Sequence, residues 1–163
     1  MENNNSGRAV VGEVVVNAGI DEVWKAWTTP EGTTSFLAPA CNLRLEIGGP
    51  YEMFFDQEAA PGLRGGEGLL VLAFQPPVML SVTWNAPPEL PDVRGQHTHV
   101  VIRLEALSPD QTRVWLAHDG WGTGGQWEDA FAYFQRAWLK VVLPRLAYRF
   151  EHGPIDWDHP PKF

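Results

Sequence analysis

His118 is the side chain whose type and setting most invite chemistry in this sequence. In the stretch around it, Val114, Leu116 and His118 alternate with Arg113, Trp115 and Asp119. Such alternation puts an imidazole on the apolar face of a strand. A histidine there could act as a general acid or base near neutral pH, with Tyr51 as a second proton-transfer group, in a cyclase- or dehydratase-like reaction. The plainer reading is a buried histidine hydrogen-bonded to backbone, since structural partners perturb histidines as well. An enzyme would also need fixed donors for a developing oxyanion, and no pair of residues declares itself.

The other chemical patterns are weaker. His97-Thr98-His99 puts two imidazoles on one strand face at a spacing metals use, but parity assigns them to the outer face beside Arg103 and Glu105, without a third ligand. Asp156, Asp158 and His159 read as an acidic tail rather than a metal set. Gly120, Gly122 and Gly125 spell G-x-G-x-x-G between a strand and a helix. That fingerprint needs a parallel strand after the helix, and here only a short Pro-containing tail follows, so the glycines read as a tight turn. Cys41 has no partner signature and reads as structural. No G-x-S-x-G, H-E-x-x-H or P-loop occurs. Neither a metal nor a cofactor is expected.

The elements that position these groups follow from periodicity. Arg8 to Asn17 reads as a strand, and Ile20 to Thr28 as a helix with Val23, Trp24 and Trp27 on one face. Pro30-Glu31 opens a second short helix carrying Phe36 and Leu37. Six strands follow. Leu43, Leu45 and Ile47 alternate, and Gly48-Gly49 turns the chain into Tyr51 to Asp56. Leu69 to Phe74, Val78 to Asn85, His97 to Leu107 and Thr112 to His118 complete the set. Short turns favour an antiparallel meander. Loops around Pro61 and Pro88 could shape one end of the sheet, and the two short helices could plug the other. Gln126 to His152 is one long helical segment stopped by Gly153-Pro154, with Pro144 predicting a kink or a break near Lys140 to Pro144.

Parity then assigns an inner face. Val78, Leu80, Val82 and Trp84 share it with Thr98, Val100, Ile102 and Leu104. Tyr51, Met53 and Phe55 join them, with Leu70, Leu72 and Phe74. On the helix, Trp127, Phe131, Phe134 and Trp138 form one stripe. The interior is almost wholly apolar: either a filled core or a ligand cavity.

Several segments resemble a known superfamily. They are Ile20-Asp21-Glu22-Val23-Trp24-Lys25-Ala26-Trp27-Thr28-Thr29-Pro30-Glu31, Ile47-Gly48-Gly49-Pro50-Tyr51, Phe74-Gln75-Pro76-Pro77 with Val82-Thr83-Trp84, Leu116-Ala117-His118-Asp119-Gly120-Trp121, and the closing Phe150-Glu151-His152-Gly153-Pro154-Ile155-Asp156-Trp157. The chain is similar, from about Val10 to Trp157, to the START-like (SRPBCC, Bet v 1-like) helix-grip superfamily, and within it to AHSA-type domains, named for the activator of heat-shock protein 90 ATPase. The resemblance implies an α+β helix-grip fold: a curved antiparallel sheet of about six or seven strands on a long C-terminal helix, with two short helices after the first strand and an apolar cavity between. Residues 8–157 form the expected single domain, with 1–7 and 158–163 as flexible termini.

Composition limits the partners. With 44% hydrophobic and 20% charged residues in 163, one globular domain is the natural expectation. A net charge of −8 opposes both nucleic acid and anionic membrane as partners. One cysteine fits a reducing compartment, and the polar start lacks the apolar core of a signal peptide, so a cytoplasmic protein is expected. The expected function is binding of a small hydrophobic or aromatic ligand. The facing set is Tyr51, Met53, Phe74 and Trp84, then Ile102, Leu116 and His118, and on the helix Phe131, Phe134 and Trp138. The alternatives are the His118 enzyme and, from the resemblance, a chaperone ATPase co-activator. A homodimer stays open.

Overall fold

The computed structural model describes residues 7–163. Of the two termini expected to be flexible, residues 1–6 lie outside the described residues. At the other end, the ring of Phe163 meets that of Tyr148, with centroids 6.2 Å apart.

Strand β1 (Val10–Val16) leads into helices α1 (Ile20–Thr28) and α2 (Pro30–Thr33). Then come β2 (Ala40–Leu43), β3 (Tyr51–Phe54), the two-residue β4 (Gly65–Gly66), β5 (Val71–Gln75) and β6 (Met79–Trp84). A short α3 (Pro91–Arg94) precedes the hairpin β7 (Thr98–Ser108) and β8 (Gln111–Asp119). Five strands pair antiparallel in the order β1-β8-β7-β6-β5, and β2-β3-β4 form a smaller sheet. The sheets meet where Pro50 bridges Leu70, and the Tyr51 amide donates to the Leu69 carbonyl at 2.8 Å. This is the expected α+β helix-grip architecture, with the long helix packed across the sheet.

That helix runs as α4 (Gln126–Arg136), a π-helical stretch (Ala137–Val142) and α5 (Leu143–His152). Pro144 explains the middle part. It has no N–H for the Lys140 carbonyl, and its ring would clash with that carbonyl in a regular α-helix. The wider π-turn, in which the Leu143 amide donates to the Trp138 carbonyl, relieves this without breaking the helix. The helix crosses β1 at Gly12, where a Cβ would collide with Leu139 Cδ2. Gly12→Val is therefore expected to cost ~1–3 kcal/mol by overpacking, seen as a lower urea midpoint at unchanged m-value.

Besides Val78, which is exposed rather than inward, and α2, which ends at Thr33 before Phe36 and Leu37, three sequence expectations need correction. First, Leu70 and Leu72 point outward, while Leu69 and Val71 are buried. A bulge between Val71 and Ala73 inserts one residue against β6, so Phe74 returns to the inner side opposite Leu80. Second, Phe55 lies beyond β3 and is 45% exposed rather than inward. Third, β2 ends at Leu43, because turn hydrogen bonds from the Glu46 and Gly49 amides fold the chain before Leu45 and Ile47 can pair. The inner faces of β7 and β8 match expectation, with Val100, Ile102, Leu104, Val114 and Leu116 all buried. The plug at one end is also as expected. Trp27 of α1 packs edge-on against Phe36 at 4.9 Å, and Thr112 Oγ1 ties the β8 start to the Ala18 carbonyl at 2.8 Å.

Candidate functional site

A half-open cleft of about 470 Å³ lies between the C-terminal helix and the loops at the edge of the smaller sheet. Its apolar wall is Trp84 from the end of β6, Phe134 of α4 and Trp138 of the π-helical stretch, with Leu37 from the segment after α2. Trp84 and Trp138 meet at 5.2 Å between centroids, and Phe134 stacks over Trp138 at 6.4 Å. Pro87 and Pro88 form one rim, Leu63 to Gly66 the other. Polar groups are few: Asn85, the carboxylates of Asp56 and Glu89, and the guanidiniums of Arg64, Arg136 and Arg145. The size and mix suit a small-molecule site.

The rim loops are held in place. Arg94 donates to the carbonyls of Ala86, Gly62 and Gly65 at 2.6, 2.9 and 2.7 Å, joining one rim to the other. Asn85 Nδ2 donates to the carbonyls of Gly65 and Glu67. Glu67 accepts the amides of Gly62 and Arg64. Burial works against its carboxylate, but those amides and the Arg94 charge prevail and hold its pKa below the usual carboxylate range. A binding loop fixed this way loses less entropy when a ligand seats. Arg94→Ala is expected to raise the Kd of any ligand of this cleft by about tenfold or less, with faster amide exchange confined to residues 62–67 and 85–90.

His118 is fully buried and both ring nitrogens are engaged. The Trp138 indole N–H donates to Nδ1 at 2.9 Å, and Nε2 lies 2.6 Å from Thr98 Oγ1. An indole can only donate, so Nδ1 is the unprotonated nitrogen and Nε2 carries the hydrogen. Burial, helped by nearby His99, pushes the pKa well below the ordinary histidine range. Trp121 adds a bond from its indole to the His118 carbonyl at 2.9 Å, with its ring 4.1 Å from the imidazole. The residue is a neutral hub that ties β8, β7 and the helix together. A general base would have to free the lone pair that Trp138 holds. Tyr51 is likewise committed: its buried phenol donates to the Trp27 carbonyl at 2.7 Å, and burial raises its pKa further.

Of the ten residues expected to face a ligand, Trp84, Phe134 and Trp138 line the cleft. Tyr51, Met53, Ile102, Leu116 and His118 lie in the packed interior. Phe74 packs at the core edge, and Phe131 sits beside Trp121 under the Arg8 guanidinium. Sequence reasoning missed Tyr133, Ala137, Val141 and Arg145. They recur every four residues, one position before the aromatic stripe at Phe134 and Trp138, so a second helical stripe was there to find.

The outer sheet face carries a second polar constellation. His99 Nε2 is 2.7 Å from Ser81 Oγ, and His99 Nδ1 is 3.0 Å from Asp119 Oδ1. The order matches a nucleophile, base and orienting carboxylate. Ser81, however, is buried in mid-strand, paired on both sides with Ala73 and Val101. Its backbone lies in the ladder, leaving no donors aimed at an oxyanion above the sheet. The three side chains form a cross-strand hydrogen-bonded row. Among the described residues no group of three or more His, Cys, Asp or Glu side chains is placed to hold a metal, and no helix is long and apolar enough to cross a membrane. The Gly120 turn feeds a helix with no strand after it; at Gly122 a Cβ would collide with the Trp127 indole.

The family described as Activator of Hsp90 ATPase homolog 1-like protein matches residues 17–150. A protein from Mesorhizobium loti shares the fold at TM-score 0.65 and 22% identity, over 88% of this chain and 94% of that one. The Aha1 dimer from Colwellia psychrerythraea aligns at TM-score 0.65 and 19% identity, over 90% and 98%. An HSP90 activator from Plasmodium falciparum aligns at 0.61 and 11%, over 83% and 91%. No curated protein matches the chain.

Proposed function

The chain belongs to the family of Activator of Hsp90 ATPase homolog 1-like proteins, and from that premise we propose that it binds a small apolar or aromatic molecule in the cleft beside its C-terminal helix. One observation carries the reading: about 470 Å³ of space walled by Trp84, Phe134 and Trp138 between loops already fixed by Arg94. Ring edges that border a cleft offer a flat apolar guest stacking and edge contacts that water cannot supply. The π-helical stretch strengthens the reading, since such irregularities gather at functional sites. Binding needs no catalytic group, which agrees with the engagement of both His118 nitrogens.

The test uses N-phenyl-1-naphthylamine, a neutral fluorescent amine that joins a naphthalene to a phenyl ring. Saturable fluorescence enhancement and a concentration-dependent rise in Tm are expected. Ala137→Trp, which fills the cleft from the helix side, should abolish both; so should Val141→Trp. Absence of saturable binding in the parent chain would refute the proposal.

The family, and the fold shared with an HSP90 activator from Plasmodium falciparum, support a second reading as a chaperone partner. Stimulation of a purified Hsp90 ATPase by the chain tests it directly. The Colwellia psychrerythraea relative is a dimer, and light scattering on the purified chain decides whether this one pairs.

A further inference from the structure

Arg145 is the cleft's unusual residue. Its Nε is buried and has no hydrogen-bond acceptor. Its guanidinium lies over the Trp157 ring, 5.2 Å from the centroid. No ion pair joins it to any carboxylate among the described residues. Yet guanidinium remains charged in proteins, and a partly buried charge without an acceptor is costly. The surroundings matter too. In a chain of net charge −8, the cleft carries three arginines, Arg64, Arg136 and Arg145, against two carboxylates, Asp56 and Glu89. None of these five is ion-paired to another. Arg64 is occupied in part, its Nε donating to the Ala59 carbonyl at 2.9 Å.

Resting on the cleft reading above, we propose that the ligand is amphipathic: an aromatic body against Trp84, Phe134 and Trp138, and one oxyanion, a carboxylate or its equivalent, seated on Arg145. Arg145 follows Trp138 by about two turns of the same helix, roughly 10 Å along its axis, and both line the cleft, so an elongated aromatic molecule with an anionic end reaches both. Arg145 contributes a planar donor fork suited to a bidentate oxyanion, and Trp157 behind it limits its freedom. Asp56 and Glu89, lining the same space, disfavour a second negative charge.

Two probes that differ by one group test this. N-phenyl-1-naphthylamine and 8-anilinonaphthalene-1-sulfonate share the same rings, and only the second carries an oxyanion. The sulfonate is expected to bind roughly ten- to a hundredfold more tightly, and the difference should shrink as salt rises. Arg145→Gln should remove most of that ratio while the amine still binds saturably, and an unchanged cooperative unfolding transition shows that the variant is folded. Arg145→Lys should keep part of it. Equal affinities in the parent chain, or a ratio untouched by Arg145→Gln, would overturn the anion proposal and leave the cleft reading standing. Binding of neither probe, or binding that persists at full strength in both Ala137→Trp and Val141→Trp, would overturn both.

Discussion

Trp138→Ala is expected to remove about 4 kcal/mol of unfolding free energy, a large part of the margin of an ordinary domain. Two effects combine. The indole is 2% exposed and touches Trp84 and Phe134, so truncation opens a large apolar void beside the cleft. It also takes the donor from His118 Nδ1, leaving a buried acceptor unpaired at about 1–3 kcal/mol. Trp138→Phe separates the two. It keeps most of the ring packing while losing the N–H, and should cost about 1–3 kcal/mol. In a double-mutant cycle, Trp138→Phe combined with His118→Leu should cost less than the sum of the single changes, because each removes the same bond. Urea unfolding at fixed pH supplies all the free energies. Strict additivity in the cycle would show that the bond carries no energy, and a loss below about 1 kcal/mol for Trp138→Ala would show the site to be loosely packed.

The fold was legible where periodicity is long. Gln126 to His152 holds enough turns for its aromatic stripe to exclude a strand, and β7 and β8 are long enough that one parity assignment places Thr98, Val100, Ile102, Leu104, Val114, Leu116 and His118 inward. It failed where one residue decides. The bulge at Val71/Ala73 leaves no compositional mark, yet it turned Leu70 and Leu72 outward. The four-residue helix Pro91–Arg94 sits in a Pro-rich loop that reads as irregular. The cleft was legible in part. A helical wheel found Phe134 and Trp138, but Tyr133, Ala137, Val141 and Arg145 include a small, a β-branched and two polar-tipped side chains, so their stripe lacks the uniform aromatic signal that marks an inner face. Arg94 was invisible because its three carbonyl acceptors come from two loops distant in sequence. Only tertiary folding brings such groups together.

Acidification should weaken this fold before its carboxylates begin to titrate, and His118 is the reason. Burial, then the neighbouring His99, hold its folded-state pKa well below the ordinary value near 6.5. Protonated Nδ1 would be a donor facing the donor of Trp138, so the charged form also loses a hydrogen bond. The sign follows from linkage. Between the two pKa values the unfolded chain binds a proton that the folded chain refuses, so stability rises with pH in that window and falls as pH drops through it. One such group removes at most about 1.4 kcal/mol per pH unit. From pH about 7.5 to 5.5 the expected loss is roughly 1.4 kcal/mol in all, because the unfolded group is only part-protonated near 6.5. His118→Gln isolates the effect. Its amide oxygen can accept from Trp138 and its NH₂ can donate to Thr98, but it does not titrate. The variant should be less stable at neutral pH, its shape being imperfect, while the gap to the parent narrows by that same 1.4 kcal/mol or so on acidification. The other histidines are common to both chains and cancel in the difference. A gap that stays constant from pH about 7.5 to 5.5 would mean that folded His118 takes up its proton as readily as the unfolded chain does. The neutral hub, and with it the argument that removes His118 from proton transfer, would then have to be given up.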